Sequence, residues 1–199
     1  MAQLGFHDFA VADTLTAALM DGVLRQTVMT FADYATMLSE LSGVEEHGMV
    51  CVTTAGDNIW MYDGSDWVPI MSTWADFTPA WTNLSAGNGT VSAEYRYTGS
   101  EMRCRGVFVL GSTSSVTGSP IQFTIPNSES SRATGGGSIG SAFFVDSSAS
   151  AKPYSGITVV SASDTLVSFV GSDDNYTSAS APFTWATSDT IRWDVHIAL

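Results

Sequence analysis

The spacing of hydrophobic residues along the chain changes period once, near Gly48. Before it, Tyr34, Met37, Leu38 and Leu41 recur at i, i+3, i+4 and i+7, the spacing of one helix face. Thr30-Phe31-Ala32-Asp33 ahead of them has the [ST]-x-x-[DE] form of a capping box, and Gly43 is placed to stop the helix. Val11, Leu15, Ala18 and Gly22 outline an earlier helix over about Asp13 to Leu24, either a short coiled-coil-like seam or an amphipathic helix lying on a neighbour. After Gly48 the period is two. GMVCVTTAGDNIWMYDGSDWVPI predicts three short strands joined by an Ala-Gly-Asp-Asn turn and an Asp-Gly turn, a small meander. Pro69 and the following MSTWADFTP break the pattern, so a junction is expected between Trp74 and Pro79, with regions 1–73 and 74–199 on either side.

The second region alternates throughout. TVSAEYRYT sets Val91, Ala93, Tyr95 and Tyr97 against Ser92, Glu94, Arg96 and Thr98. EMRCRGVFVL sets Met102, Cys104, Gly106, Phe108 and Leu110 on one face, with arginines opposite. PIQFTI, IGSAFFV, GITVVS, TLVSFV and IRWDVHIA continue the pattern, the last with Ile191, Trp193, Val195 and Ile197 inward. Ser-, Thr- and Gly-rich linkers separate these runs at intervals near the 8 to 12 residues of sandwiches and barrels. The expectation is a mainly β protein: a short helical segment and small meander, then an antiparallel β-sandwich of jelly-roll-like form.

Charge narrows the partners. Seven Lys and Arg face 20 Asp and Glu, a net charge of −13, and no basic stripe can be drawn through Arg25, Arg96, Arg103, Arg105, Arg132, Lys152 and Arg192. A phosphate backbone or an anionic membrane surface would be repelled, so no nucleic acid and no membrane insertion are expected. No run approaches the roughly 18 apolar residues of a spanning helix. MAQLGFHDFAVADTL carries acids where a signal peptide needs basic residues, so ordinary export is not expected. Cys51 and Cys104 sit in apolar strand-like runs and read as small buried hydrophobes.

Candidate chemistry is sparse. His7, His47 and His196 have no second ligand at metal spacing. Gly136-Gly137-Ser138-Ile139-Gly140 matches G-x-S-x-G, but no helix follows to make a nucleophile elbow, so it reads as a loop entering a strand. Asp63-Gly64-Ser65-Asp66 lacks calcium-loop spacing and reads as a hairpin turn, while Asp173-Asp174-Asn175 reads as a solvated loop tip. No catalytic residue, cofactor or metal is assigned, and nothing selects a glycosidase pair of carboxylates. Aromatics are the informative class. Trp74, Trp81, Trp185 and Trp193 exceed what one small sandwich core is expected to hold, so some are expected at a subunit interface or sugar-stacking site. Tyr154, Tyr176 and Trp185, beside Gly, Ser and Asp between strands, are the candidate ligand contacts. Three N-x-[ST] sequons, at Asn83, Asn88 and Asn175, read as by-products of turn chemistry, with Asn88-Gly89 expected in a type I′ turn or a Gly-rich loop.

Trp74-x-x-Phe77-Thr78-Pro79-x-Trp81-Thr82, followed by GNGTVSAEYRYTGSEMRCRGVFVLGSTSSVTGSPIQFTIP, resembles the tail fibre or minor tail protein module of bacteriophages and prophages. The preceding FADYATMLSELSGVEEHGMVCVTTAGDNIWMYDGSDWVPI resembles the connector segment that comes before such modules, so the resemblance spans about residues 30 to 130. It implies a virion protein, synthesised in the bacterial host cytoplasm, usually a homotrimer. The N-terminal part would bind other tail or baseplate proteins, and the C-terminal β-domain would face outward toward cell-surface glycans. A head or collar fibre without receptor role and a carbohydrate-binding module of a depolymerase are the alternatives.

Overall fold

The computed structural model describes residues 28–132, 137–160, 164–171 and 175–199. The expected helix at Asp13 to Leu24, His7 and the Asp173-Asp174 pair lie outside the described residues. The protein is mainly β, and its chain divides into two compact units, Met1–Pro69 and Ile70–Leu199.

In the first unit, β1 (Met29–Phe31) leads into α1 (Tyr34–Leu41), followed by β2 (Val50–Thr53), β3 (Asn58–Tyr62) and β4 (Trp67–Met71, whose last two residues belong to the second unit). The strand order is β1-β2-β3-β4. The residue that starts the helix is Asp33, in extended conformation, with its carboxylate accepting the Thr36 N–H at 2.7 Å. Thr30, the expected start, instead lies in β1, which pairs parallel to β2 with Met29 opposite Cys51 and Phe31 opposite Thr53. A three-residue parallel strand has no local signature, because its partner is some twenty residues away and the helix is the crossover between them. The expected helix face is half used: Met37 and Leu41 are buried with Cys51 and Trp67, while Tyr34 and Leu38 remain exposed. The β2–β3 turn has positive φ at Gly56 and Asp57, and the β3–β4 turn has it at Gly64.

In the second unit the strands are β5 (Ala75–Asp76), β6 (Trp81–Thr82), β7 (Leu84–Ser85), β8 (Thr90–Thr98), β9 (Glu101–Val109), β10 (Ser115–Val116), β11 (Gln122–Thr124), β12 (Ser138–Asp146), β13 (Lys152–Val159), β14 (Leu166–Gly171) and β15 (Thr190–Ala198). The path β8-β9-β15-β12-β13-β14-β11-β6 is antiparallel at every step, β5 adds to β8, and β7–β10 form a separate ribbon. The path folds over on itself. Trp81 of β6, at one end, lies with its ring centroid 5.3 Å from Phe108 of β9 and 5.7 Å from Trp193 of β15, near the other end. The two layers thus enclose one core in which Phe108, Phe123, Phe144, Phe169, Ile191 and Val195 are fully buried. Gly106 makes room for that core. A methyl group there would overlap the Trp193 ring and come within 2.8 Å of the Ala93 Cβ.

The aromatic surplus read from the sequence is largely absorbed here. Trp193 is buried, and Trp81 and Trp185 pack half-buried against the core. Rolling the sheet gives it two inner layers and therefore a wider aromatic interior than a single flat face provides. Trp74 alone of the four lies among charges, with the guanidinium carbons of Arg105, Arg96 and Arg103 at 4.2, 4.8 and 5.8 Å from its ring centroid.

Candidate functional site

The segment 76–80 is held like a strap between β8 and β11. On one side Asp76 pairs with Glu94 and the Phe77 N–H donates to the Ala93 carbonyl at 3.0 Å. On the other, the Ala80 carbonyl accepts from the Thr124 N–H at 2.9 Å. Facing the strap is a short 3-10 turn, Pro126–Ser128. A recess of about 270 Å³ lies between them, lined chiefly by Asp76, Phe77, Thr78, Tyr95, Asn127 and Ser128. That volume sits at the lower limit of the roughly 300–1,000 Å³ of small-molecule sites, room for one small polar ligand.

The polar chemistry of the recess is built on an uncommon backbone. Asn127 and Ser128 are consecutive non-glycine residues in the left-handed region, with φ of 59° and 57°. Such residues cost of order 1–3 kcal/mol each and persist where surrounding contacts overdetermine them. Here the contacts are side-chain bonds: Asn127 Nδ2 donates to the Tyr95 hydroxyl at 3.1 Å and to the Tyr97 hydroxyl at 3.0 Å, and Tyr97 donates to Glu129 Oε1 at 3.2 Å. Burial first, and then the Glu129 carboxylate, push the Tyr97 phenol up to about 12 despite the Asn127 bond that opposes the shift. The Tyr95 ring stands edge-on to Phe77 and to Tyr97, both at 5.9 Å. Among the described residues the Tyr95 O–H has no acceptor and Asn127 Oδ1 no donor. The recess thus presents a donor and an acceptor side by side next to an aromatic edge, with a carboxylate at Asp76 and no Lys or Arg in its wall.

A second, more open recess of about 430 Å³ lies on the outer face of β8, β9 and β15 and involves Asp76, Glu94, Arg105, Arg192 and Asp194. Its charges are largely spent on each other. Arg103 grips Asp194 bidentately, Nε to Oδ1 at 2.9 Å and Nη2 to Oδ2 at 2.6 Å, and Arg105 Nε donates to Glu94 Oε1 at 2.6 Å. The Arg103 hydrogen bond holds the Asp194 carboxyl below the usual carboxylate range.

The residues chosen from sequence are placed differently. Tyr154 and Trp185 are brought together through Phe183, whose ring lies 4.9 Å from the first and 4.5 Å from the second. Trp185 also stands edge-on to Phe144 at 5.9 Å, and its Nε1–H is spent on the Ser178 carbonyl at 2.8 Å, so it caps the sandwich end. Lys152 lies 5.0 Å above the Tyr154 ring. Tyr176 is 51% exposed in a bridge to Val170, and no ring contact joins it to the other two. Sequence reasoning missed Asn127, Glu129 and Phe77 as site residues. The available signal was Tyr95 and Tyr97 on one strand face, but their meeting with a turn some thirty residues later is a long-range event.

The remaining candidates resolve into structure. Ser138 of the G-x-S-x-G match opens strand β12. Asp63 Oδ1 accepts from the Ser65 N–H, the Ser65 hydroxyl and the Asp66 N–H, each at 2.8 Å, which is turn chemistry. Cys51 and Cys104 are free and buried, with burial pushing their thiols up to about 11 and about 12. Among the described residues no group of three His, Cys, Asp or Glu is placed to hold a metal ion, and no helix is long and apolar enough to cross a membrane. Asn83, with φ of 62°, donates to the Pro120 carbonyl at 2.8 Å, and Asn88 Oδ1 accepts from both the N–H and the hydroxyl of Thr113 at 2.9 Å. These sequon asparagines tie loops together. The turn at Asn88 has its positive φ at Gly87 alone, without the two positive values of a type I′ turn. Comparison of the chain with protein-family models, curated proteins and solved structures gives no match.

Proposed function

We propose that this chain is a non-enzymatic structural and adhesion protein of a bacteriophage tail, a homotrimer whose residues 1–73 attach to other virion proteins and whose β-sandwich, 74–199, recognises a cell-surface glycan. The phage assignment rests on the sequence resemblance across residues 30 to 130. The observation that carries the adhesion reading is the recess between the 76–80 strap and the Pro126–Ser128 turn. Its free donor and acceptor at Tyr95 and Asn127 suit a pair of sugar hydroxyls, and the Phe77 and Tyr95 rings suit the C–H face of a sugar. Asp76 in the wall and Glu129 beside it, with no cation opposite, favour an uncharged sugar over a uronic or sialic acid.

The test is binding of the full chain to an immobilised panel of neutral and acidic oligosaccharides from bacterial surfaces. Neutral members are expected to bind, and Phe77→Ala or Asn127→Ala to weaken that binding at least tenfold. Binding unchanged in both variants, or confined to acidic members, would remove the recess from the reading. No binding to any member by the unmodified chain would remove the adhesion reading itself.

A further inference from the structure

An antiparallel sheet with one face in the core turns the other to water and normally carries charge there. The outer face of the rolled sheet departs from this along β12 and β13. By alternation its outward residues are Ser141, Phe143 and Val145 on β12 and Pro153, Ser155 and Ile157 on β13, and none is charged. Phe143 and Ile157 are 41% and 44% exposed. They are near neighbours, because Ser141 is the cross-strand partner of Ile157 and Phe143 lies two residues further along β12.

The adjoining strands carry charge, but in balance. On the outer face of β15, β9 and β8, with Asp76 beside them, are four cations, Arg96, Arg103, Arg105 and Arg192, and four anions, Asp76, Glu94, Glu101 and Asp194. That face is therefore neutral, and the whole net charge of −13 is carried by residues elsewhere in the chain. Two copies meeting through a surface that carries the net charge bring like charges together. Meeting here, they bring together an uncharged apolar strip and ion pairs that are already satisfied, Arg103 with Asp194 and Arg105 with Glu94. Five adjacent strands at about 4.8 Å, each about 30 Å long, span on the order of 700 Å², close to the roughly 800 Å² per partner of a standard interface.

We infer that the outer face of β12 and β13, together with the adjoining neutral face of β15, β9 and β8, is the surface on which a second copy of this chain packs. This rests on the homotrimeric part of the reading above and adds which surface joins the subunits. Association through a neutral face is opposed only by long-range repulsion between acidic bodies, so added sodium chloride should strengthen it, whereas an interface built on intersubunit ion pairs would weaken.

The experiment is light scattering after size exclusion on the full chain, at low and high sodium chloride, with Phe143→Asp and Ile157→Asp alongside. The expected result is a species near three times 21.1 kDa that is retained or favoured by salt, with both substitutions lowering the mass toward 21.1 kDa at unchanged circular dichroism. Oxidative footprinting of the unmodified chain covers the case in which a variant fails to fold, and Phe143 labelling should fall as concentration rises. An oligomer whose mass survives both substitutions, with Phe143 labelled equally at all concentrations, overturns this face while leaving the trimer standing. A species at 21.1 kDa for the unmodified chain overturns the trimer and this proposal together, and protection of Phe143 in that monomer would mean that the chain covers its own face.

Discussion

Two aromatic clusters in the second unit look alike on paper and differ in what their polar atoms do. Phe77, Tyr95 and Tyr97 form one, and Tyr154, Phe183 and Trp185 the other, with neighbouring ring centroids between 4.5 and 5.9 Å in both. In the second, the Trp185 indole N–H is used inside on the Ser178 carbonyl, and Phe183 is buried. In the first, Asn127 reaches in from a left-handed turn, binds both phenols, and leaves a donor and an acceptor facing the recess. The lesson is that an aromatic near a loop says little about binding until the destination of its hydrogen bonds is known. Rings whose handles are satisfied within the fold contribute to stability, and rings whose handles remain open can contribute to recognition.

That contrast can be broken most sharply by Phe183→Ala. Removing a buried ring from the second cluster is expected to cost about 3–5 kcal/mol, read as a lower chemical-denaturation midpoint, with no selective loss of sugar binding. A variant that kept its stability but lost binding would reverse the roles assigned to the two clusters. Next is Asp189→Ala, at the loop that carries Phe183 and Trp185. Asp189 is fully buried, and its carboxylate accepts the Ser147 N–H at 2.8 Å and the Ala186 N–H at 2.6 Å, so two backbone donors would be orphaned at a cost of about 1–3 kcal/mol each. Asn127→Gly should do the opposite of Phe183→Ala. Glycine relieves the positive φ while deleting the amide, so stability is expected to change by less than about 1 kcal/mol while binding to a neutral oligosaccharide falls.

Two titrations sharpen the comparison with smaller effects. The Tyr97 pKa is raised on folding from 10.0 to about 12, so its contribution to stability is complete below pH 10 and is lost as pH rises through that interval. An ultraviolet phenolate titration should show a late-titrating component that shrinks by one tyrosine in Tyr97→Phe. For Asp194 the sign is reversed: its folded pKa lies below 3.8, so the stabilisation from Arg103 is present above pH 3.8 and disappears as pH falls through the folded value. Asp194→Asn should flatten the acid limb of stability slightly, a small effect because both side chains are about one-third exposed. An acid limb identical in the two proteins would mean that the pair on the outer face contributes nothing measurable.

Much of the second unit was legible because alternation is local. Met102, Cys104 and Phe108 on β9, with Leu110 just past its end, and Ile191, Trp193, Val195 and Ile197 on β15, face the core as their period predicts. The pattern misled at a strand end: Val91, second residue of β8, shares parity with Ala93, yet it is 37% exposed. The helix was legible from its spacing, but its cap was not, since Thr30 and Asp33 both fit a cap and only the parallel pairing of β1 with β2 assigns Thr30 to a strand. The candidate ligand residues were chosen for being aromatic in loop-like segments, a criterion that cannot separate Trp185, which is locked into the sandwich end, from Tyr176, which is exposed.

The sequence by itself determined the quantities that depend on composition and on nearest neighbours. These are a mainly β chain with one described helix, a strongly acidic balance, turns at Gly56 and Gly64, and which side of each long strand is apolar. Tertiary structure alone decided which faces meet. Closing the strand path brought Trp81 onto Phe108 and Trp193, set Asn127 against Tyr95 and Tyr97, and gathered four of the seven basic residues onto one neutral face. The physical reason is range. Alternation and turn chemistry are settled within a few residues, whereas a recess or an interaction face is made by strands that are distant in sequence and adjacent only after the sheet has rolled.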